Sequence, residues 1–316
     1  MQRRNRKFTP EELAILFPSP KAIASLPPTK PLPVPSDTII VGLMGGIGNQ
    51  LFQYAFGIST AKKRGQRVGF TLYRCHRDQF RPMGYQLDMF VDDITLFPRD
   101  AEKEPYLMDH DRGAQKNPFT FQPRVYTSPT VGMFLGYWQT EKYFDVPLVR
   151  EKIKFRYPLS PESLAVAERI NKLGKSSAFL HVRQGADYRR SDFHKLLPRS
   201  YYDEAVARIK QNYPDAHFFV FGDNLDWMSQ TFGGESFTIV KHVGADTNRV
   251  HEDMHLMSLC QHGAIANSSF SWWAAWFGDT KSDRMIFAPD TWFGPNEVVD
   301  ISDLMPDRWT KLGCGS

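Results

Sequence analysis

The sequence predicts an α/β fold in which two halves, each a parallel sheet covered by helices, face each other across a cleft. Three observations support this fold. Short β-rich runs alternate with segments of helical periodicity, glycines and polar residues follow the predicted strands, and 316 residues suffice for two domains. We expect an arm over residues 1–36, an N-terminal α/β domain over 37–158 and a C-terminal α/β domain over 159–316.

The N-terminal arm begins with Arg3, Arg4, Arg6 and Lys7 and is rich in proline further along. No apolar stretch of signal-peptide length follows the basic residues, so we do not expect a secretion signal. We predict a short helix at residues 10–17 and then an extended linker, because proline resists helix formation. No window approaches the roughly 18 apolar residues of a membrane span. We therefore expect a soluble chain.

The overall composition favours a cytoplasmic protein with a small anionic ligand. Three cysteines, Cys75, Cys260 and Cys314, are odd in number and far apart, which is typical of free thiols in a reducing compartment. Lysine and arginine exceed aspartate and glutamate by 39 − 35 = 4. This small basic excess suits an anionic metabolite better than a nucleic-acid duplex.

Each predicted element follows from local pattern. In the N-terminal half we predict a strand at residues 39–41, a helix at 50–64 that Gly65 ends, and a strand at 67–72, followed by an irregular stretch over 74–124. In the C-terminal half we predict a strand at 178–182, a helix at 201–211 and a strand at 217–221. The alternation then continues through residues 226–232, 252–262 (a helix), 264–266, 269–277 and 285–288.

A glycine-rich loop joins the first strand to the first helix and contains Gly45, Gly46 and Gly48. Glycines let the backbone approach a ligand, and the start of the helix offers free N–H donors to an anion. The loop lacks both the Gly-Lys-Ser/Thr of a Walker loop and the third glycine of a dinucleotide fingerprint. The alternative is a tight β-to-α turn with Asn49 as the helix cap.

Charged residues follow the strand at 178–182, where His181 and Arg183 precede Asp187. Ligands of open α/β sheets bind at this carboxyl edge, and an arginine there can pair with phosphate oxygens in a bidentate fashion. The alternative is an exposed loop of solvated charges with His181 satisfied near the core.

A third segment feeds hydroxyl groups into an aromatic helix, with Ser268 and Ser269 preceding three tryptophans. Serines at the start of a helix present hydroxyls and N–H groups to an anion. Ordinary capping of the helix is the alternative, and both can hold at once. Asn267 begins a glycosylation sequon, which we discount for a buried site in a cytosolic chain.

Two short patterns resemble metal sites. Residues 251–255 spell His-Glu-x-x-His, and on a continuous helix His251, His255 and His262 would share one face. The metzincin continuation is absent, and chance matches to so short a pattern are common. Asp109-His110-Asp111 spells the Asp-x-Asp of metal-dependent nucleotide-sugar enzymes, but no β-run precedes it and we interpret it as a solvated turn. We expect no metal.

Taken together, the segments resemble the α-1,2-fucosyltransferases of glycosyltransferase family 11. The resemblance runs in order from about Thr38 to Trp309 and rests on six motifs. They are GGIGNQLFQYA (45–55), LGYWQTEKYF (135–144), HVR (181–183), FGDNLDW (221–227), DMHLMSLCQHGAIANSSFSWWAAW (253–276) and APDTWF (288–293). The sequence departs from the family at Gln184, which replaces a second arginine, and at Ala186, which separates Gly185 from Asp187.

The resemblance implies a GT-B-like pair of domains that moves L-fucose from GDP-β-L-fucose to the 2-hydroxyl of a β-galactoside, with inversion and without a metal or other cofactor. The expected partners are thus this donor and a galactoside acceptor, with no nucleic acid and at most weak peripheral membrane contact. The catalytic residues are then Arg183, Asn49 and Asp187, with Asp187 the candidate general base and late proton loss to phosphate or water the alternative. The implied donor-binding residues are Gly46, Gly48, Asn49, His181, Arg183, Asp223, Asn267, Ser268, Ser269 and Phe270. In this assignment Arg183 holds the β-phosphate, and His181 and Asp223 lie near the guanine or ribose.

Two other functions remain open at this point. The altered loop after Arg183 would suit a nucleotide- or glycan-binding module without catalysis. The His-Glu-x-x-His spelling would, more remotely, suit a zinc hydrolase.

Overall fold

The structure is a computed structural model that describes residues 35–72, 84–97, 106–108, 119–127, 133–189, 193–241, 249–294 and 299–314. At residues 106–108 and 186–187 it describes the backbone alone. The described residues all belong to one compact unit, Pro35–Ser316. The predicted helix at 10–17 and the motif Asp109-His110-Asp111 lie outside the described residues, as does Cys75.

Strands and helices alternate along the described chain. The strands are β1 (Thr38–Gly42), β2 (Arg67–Thr71), β3 (Tyr106–Met108), β4 (Met133–Leu135), β5 (Ser177–Val182), β6 (His217–Gly222), β7 (Phe237–Ile239), β8 (His262–Ala264), β9 (Ile286–Pro289) and β10 (Thr310–Leu312). The helices are α1 (Ile47–Arg64), α2 (Val146–Lys152), α3 (Pro161–Leu173), α4 (Ala186–Arg189), α5 (Arg199–Asn212), α6 (Leu225–Thr231), α7 (Val250–Leu259) and α8 (Ser269–Phe277). Short 3-10 turns lie at Leu87–Met89, Pro123–Tyr126, Glu141–Tyr143 and Gly174–Ser176.

The strands form two sheets in which every strand pair is parallel, in the orders β2-β1-β4-β3 and β10-β9-β8-β5-β6-β7. The α/β, GT-B-like class predicted from the sequence is therefore confirmed. Parallel strands need crossover connections, and the helices supply them. The division at residues 158–159 stays a prediction.

The four-stranded sheet is built around β1, which is buried along its whole length. Its register places Ile40 opposite Gly69 of β2 and opposite Met133 of β4. Helix α1 then ends at Gly65, whose φ of 65° is the left-handed conformation that glycine adopts at little cost. The helix begins at Ile47, three residues earlier than predicted, because its first turn is held by tertiary contacts rather than by propensity.

Strand β3 corrects one expectation. We predicted no strand between residues 74 and 124, yet Tyr106–Met108 pairs in parallel with β4, directly before Asp109. A three-residue edge strand is too short to show a periodic pattern in the sequence. Asp109 therefore does follow a β-strand, contrary to the expectation from the sequence.

The six-stranded sheet is built around β5, which is flanked by β6 and β8. Here the predicted helix over 252–262 is too long: α7 ends at Leu259, and His262 begins β8. An added Cβ on Gly263 would lie 2.1 Å from the Phe179 ring, so this position packs closely against β5. Sheet pairing on both sides of β8 thus overrides the local helical pattern.

The main core lies around α8, where Trp272, Trp273 and Trp276 are fully buried. Phe52 of α1 contacts Trp272 and Trp273, with ring centroids 4.4 and 5.2 Å apart. Aromatic rings bury large areas and pair with specific geometry. These contacts join the helix that follows β1 to the helix that follows β8.

Among the helices in the described part of the chain, none is long and apolar enough to cross a membrane.

Candidate active site

The strand order of the six-stranded sheet creates a crevice between β5 and β8. From β5 the chain moves to β6 on one side, and it later returns to β8 on the other side. At such a reversal the loops leave in opposite directions and open a ligand site at the carboxyl ends of the strands. Arg183 directly follows β5, and Asn267 lies in the loop between β8 and α8. The structure thus brings two of the predicted segments to one crevice.

The four-stranded sheet has the same kind of reversal between β1 and β4. The glycine-rich loop at residues 43–46 follows β1, and the segment 136–140 follows β4. The carboxyl ends of β1 and β4 are therefore a second place at which a ligand can bind.

The side chain of Asn49 connects the two reversals. Its Oδ1 accepts a hydrogen bond from Nε2 of Gln139, which follows β4, and one from Oγ of Ser269, which starts α8; both measure 2.7 Å. These three residues, which we term the amide clasp, hold the start of α1 against the start of α8. Asn49 is not the helix cap, because Gly46 holds that position without a side-chain bond.

Two buried glutamines of α1 fix the glycine-rich loop. Gln50 donates to the carbonyl of Gly45 (2.9 Å), and Gln53 accepts from the backbone N–H of Met44 (3.0 Å). Gln53 also donates to the carbonyl of Gly136 (2.9 Å). No local pattern distinguishes these two side chains, although both lie in the first family motif. They give the loop a defined shape before any ligand binds.

Gly48 and Gly46 differ in their surroundings. An added Cβ on Gly48 would lie 2.5 Å from the backbone carbon of Ser269, whereas one on Gly46 would meet nothing within 4 Å. Gly46 also has φ −74°, which any residue adopts. Glycine is therefore required at 48 by the contact with α8, while no atom in the described part of the chain requires it at 46.

We expect Gly48→Ala to destabilise the protein by about 1–3 kcal/mol, because the methyl group overpacks the contact with Ser269. Thermal unfolding measures this loss. Gly46→Ala is the matched control: we expect an unchanged Tm, because a Cβ at this position meets no atom of the described residues within 4 Å. A Gly48→Ala protein that is as stable as the wild type would contradict the packing account.

Arg183 is held in place on two sides. Its Nη1 pairs with Oδ2 of Asp223, and its guanidinium carbon lies 4.7 Å from the centre of the Tyr188 ring. Asp223 follows β6 and also accepts from the backbone N–H of Gln184 (2.7 Å). Asp223 thus contacts the arginine itself. Arg183 keeps about a fifth of its side-chain surface exposed, at 22%.

Gln184 has a structural role. Its side chain is buried and donates to the carbonyl of Leu197 (3.0 Å). The side chain at which the sequence departs from the family thus contacts Leu197. Ala186 and Asp187 lie in α4, and their side chains are outside the described part.

His181 is buried beside the start of α8. Its ring centroid lies 5.6 Å from that of Phe270, and no hydrogen-bond partner of its Nδ1 is found in the described structure. Burial, reinforced by the nearby charge of Arg183, lowers the pKa of His181 to about 3. The imidazole is therefore neutral at physiological pH and offers one donor and one acceptor.

The loop before α8 combines capping with positioning. Ser268 caps the helix by accepting from the N–H of Phe270 (3.4 Å), which confirms the capping interpretation, while Ser269 uses its hydroxyl in the amide clasp. Asn267 is 1% exposed and donates to the carbonyls of Lys195 and Trp292. The buried Asn267 side chain therefore stabilises the conformation of the loop between β8 and α8.

The histidines of the His-Glu-x-x-His pattern are used in packing. His255 stacks on Phe155 with centroids 4.2 Å apart, and His251 lies against Tyr157. The expectation that His262 shares their helix face is wrong, because His262 lies on β8, where its Nδ1 accepts from the N–H of Met285 (3.1 Å). Within the described ranges, no three metal-ligating side chains cluster.

The glutamate of that pattern belongs to an ion pair. Glu252 bonds with Arg249 (3.0 Å) and with the hydroxyls of Ser160 and Ser163, which lie at the start of α3. Burial alone would raise the pKa of Glu252, but the hydrogen bonds from Arg249 and the two serines outweigh it and lower the pKa to about 2. The carboxylate therefore ties α7 to α3.

We expect Glu252→Gln to lower the free energy of unfolding at pH 7 by on the order of 2–3 kcal/mol. Because the folded pKa is depressed, this stabilisation is present above the unfolded pKa of roughly 4.3 and is lost as the pH falls towards 2. Urea unfolding of both proteins at pH 7 and pH 3 measures the effect. A difference that does not shrink at pH 3 would contradict it.

Comparison with known proteins gives consistent matches. The model of glycosyl transferase family 11 matches residues 130–304, more than half of the chain. An α-1,2-colitosyltransferase of Escherichia coli is 28% identical over 87% of this chain and 98% of its own length. The galactoside α-(1,2)-fucosyltransferase 1 of Oryctolagus cuniculus is 23% identical over 92% of this chain and 83% of its own length. Among solved structures, fucosyltransferase NodZ from Bradyrhizobium aligns with a TM-score of 0.44 and 15% identity, over 76% of this chain and 91% of that one.

Proposed function

Because the chain belongs to glycosyl transferase family 11, we propose that it transfers L-fucose from GDP-β-L-fucose to the 2-hydroxyl of a terminal β-galactoside, with inversion and without a metal. The observation that supports this most is the amide clasp. In it Asn49, from the first turn of α1, contacts the start of α8, beside the crevice that Arg183 borders.

The proposed chemistry needs stabilisation of a departing phosphate. When the bond between the anomeric carbon and the β-phosphate breaks, negative charge grows on GDP while the sugar becomes oxocarbenium-like. Donors fixed in advance at that position lower the barrier directly. We assign this role to the guanidinium of Arg183, the N–H groups at the start of α8 and the NH₂ group of Asn49. Fixed donors of this kind can stand in for a metal ion.

The acceptor hydroxyl must lose a proton as its oxygen attacks the anomeric carbon. His181 is a poor base for this step, because burial lowers its pKa to about 3. We propose that Asp187, in the short helix α4 that follows Arg183, accepts the proton. The donor then binds mainly residues of 159–316, and the acceptor mainly residues of 37–158.

The identity of the transferred sugar has to be tested by comparing two donors. The colitosyltransferase of Escherichia coli is named for colitose, the 3-deoxy counterpart of fucose. The two sugars differ by one hydroxyl, and a site that hydrogen-bonds this hydroxyl discriminates strongly against its loss. GDP-colitose is therefore the second donor to test. Cytoplasmic action is part of the proposal, and the free thiols of Cys260 and Cys314 support it.

The experiment is release of GDP from each donor, with and without lactose, in buffer with and without EDTA. We expect release that depends on lactose and survives EDTA. Release that EDTA abolishes would contradict metal independence. GDP binding without release on any β-galactoside would favour the non-catalytic binding module.

A further inference from the structure

The amide of Asn49 is engaged on one side only. Its Oδ1 accepts two hydrogen bonds, from Gln139 and Ser269, whereas among the described residues no group accepts from its Nδ2. The Nδ2 atom lies over Gly45, so close that an added Cβ there would be 2.4 Å away. An added Cβ on the next residue, Gly46, would meet no atom of the described residues within 4 Å. The amide thus directs its NH₂ group towards the open part of the loop.

Gln139 is held by an unusual backbone turn. Trp138, directly before it, has φ 54°, the left-handed region that a bulky residue rarely occupies. The Trp138 ring is fully buried and stacks on Phe56, with centroids 4.1 Å apart and planes 6° from parallel. This packing maintains a backbone conformation that costs energy, and such conformations concentrate at functional sites. Here its effect is to bring Gln139 to Asn49.

The two side chains that donate hydrogen bonds to Asn49 are chemically different. A serine hydroxyl can donate or accept, so Ser269 tolerates either orientation of the Asn49 amide. An amide NH₂ group only donates, so the NH₂ of Gln139 requires the oxygen of Asn49 to face it. If both amides turned over together, the oxygen of Asn49 would face an anion over Gly46 and repel it. An anion there therefore selects the arrangement observed.

We propose that Gln139 is a positioning residue that holds the Asn49 amide with its oxygen inward and its NH₂ group towards the phosphate of the bound donor. This inference rests on the proposed function, in which that phosphate lies over the glycine-rich loop. Gln139 is 5% exposed, so the hydrogen bond is shielded from competing water.

The test is Gln139→Glu, studied across pH. A carboxylate can only accept, so it draws the NH₂ of Asn49 towards itself and turns the oxygen to the ligand. A protonated carboxyl group donates and restores the original arrangement. The ordinary glutamate pKa is about 4.3, and burial raises it. We therefore expect activity and GDP affinity to be low at pH 8 and to recover, relative to wild type, as the pH falls towards 5.5.

The matched control is Gln261→Glu. Gln261 is also a buried glutamine whose amide donates to a carbonyl, that of Ser282 (2.5 Å), but it lies at the opposite end of β8 from the crevice. We expect Gln261→Glu to change stability without changing the pH profile of kcat or of GDP binding.

The readouts are kcat, KM for the donor, and the Kd of GDP by calorimetry at each pH. For Gln139→Glu we expect a loss in kcat on the order of 10²-fold at pH 8, in the range found for losing one fixed donor. A loss that stays constant across pH, or no loss at all, would overturn the inference. If the wild type transfers no sugar, the proposed function fails, and the pH dependence of the GDP Kd still decides the role of Gln139.

Discussion

Arg183→Ala is expected to lower kcat/KM on the order of 10²–10³-fold, equivalent to ~3–4 kcal/mol of transition-state stabilisation. Arg183 directly follows β5, at the point where the strand order of the sheet reverses. Asp223 pairs with it from one side and the Tyr188 ring lies under it, so its orientation is fixed before the donor binds. Steady-state kinetics with GDP-fucose and lactose measures the loss.

The fold should survive this substitution, because both Arg183 and Asp223 are partly exposed and such pairs contribute little to stability. Arg208→Ala is a suitable control, since Arg208 is an exposed arginine of α5 paired with Glu204. We expect it to have wild-type kinetics. An Arg183→Ala enzyme with activity within a few-fold of wild type and an unchanged Tm would refute the assignment.

Asn49→Asp is expected to lower kcat by a similar amount, on the order of 10²–10³-fold, with an unchanged Tm. The carboxylate can still accept from Gln139 and Ser269, so the amide clasp keeps its two hydrogen bonds. The NH₂ group is replaced by an oxygen that carries negative charge and would face the phosphate in the proposed donor complex. The substitution thus separates the structural role of Asn49 from its proposed catalytic one.

Kinetics and thermal unfolding on the same preparation test this prediction. Asn49→Ala is the companion variant. It loses the NH₂ group proposed to act in catalysis and both hydrogen bonds of the amide clasp, so we expect lower activity together with a lower Tm. Wild-type turnover in Asn49→Asp would show that Asn49 acts only by accepting hydrogen bonds.

The sequence predicts the central strands well because a strand that is buried on both faces consists of a continuous run of apolar residues. β1, β5 and β6 are of this kind, and residues 39–41, 178–182 and 217–221 mark them. β3 contains no such run because it has only three residues. β8 was misplaced because a helical pattern extends into it, and only pairing with β5 and β9 shows where the helix ends.

The candidate site, like the fold, is predictable from local sequence pattern only in part. Local chemistry identifies the segments that contain Asn49, Arg183 and Ser269, and the structure places all three next to sheet reversals. Strand order is a property of the whole fold, so no local pattern shows that β1 adjoins β4. The contact of Gln139 with Asn49 spans 90 positions and depends on that order. The single available signal was the second family motif, which contains Gln139.

The most direct test of the account is proton NMR of the product formed from GDP-β-L-fucose and lactose with the purified protein. The account predicts a single trisaccharide with an α-anomeric fucose proton and a linkage to O2 of galactose, formed together with one equivalent of GDP. A product with a β-linkage, a linkage at another hydroxyl, or only free fucose and GDP would contradict it.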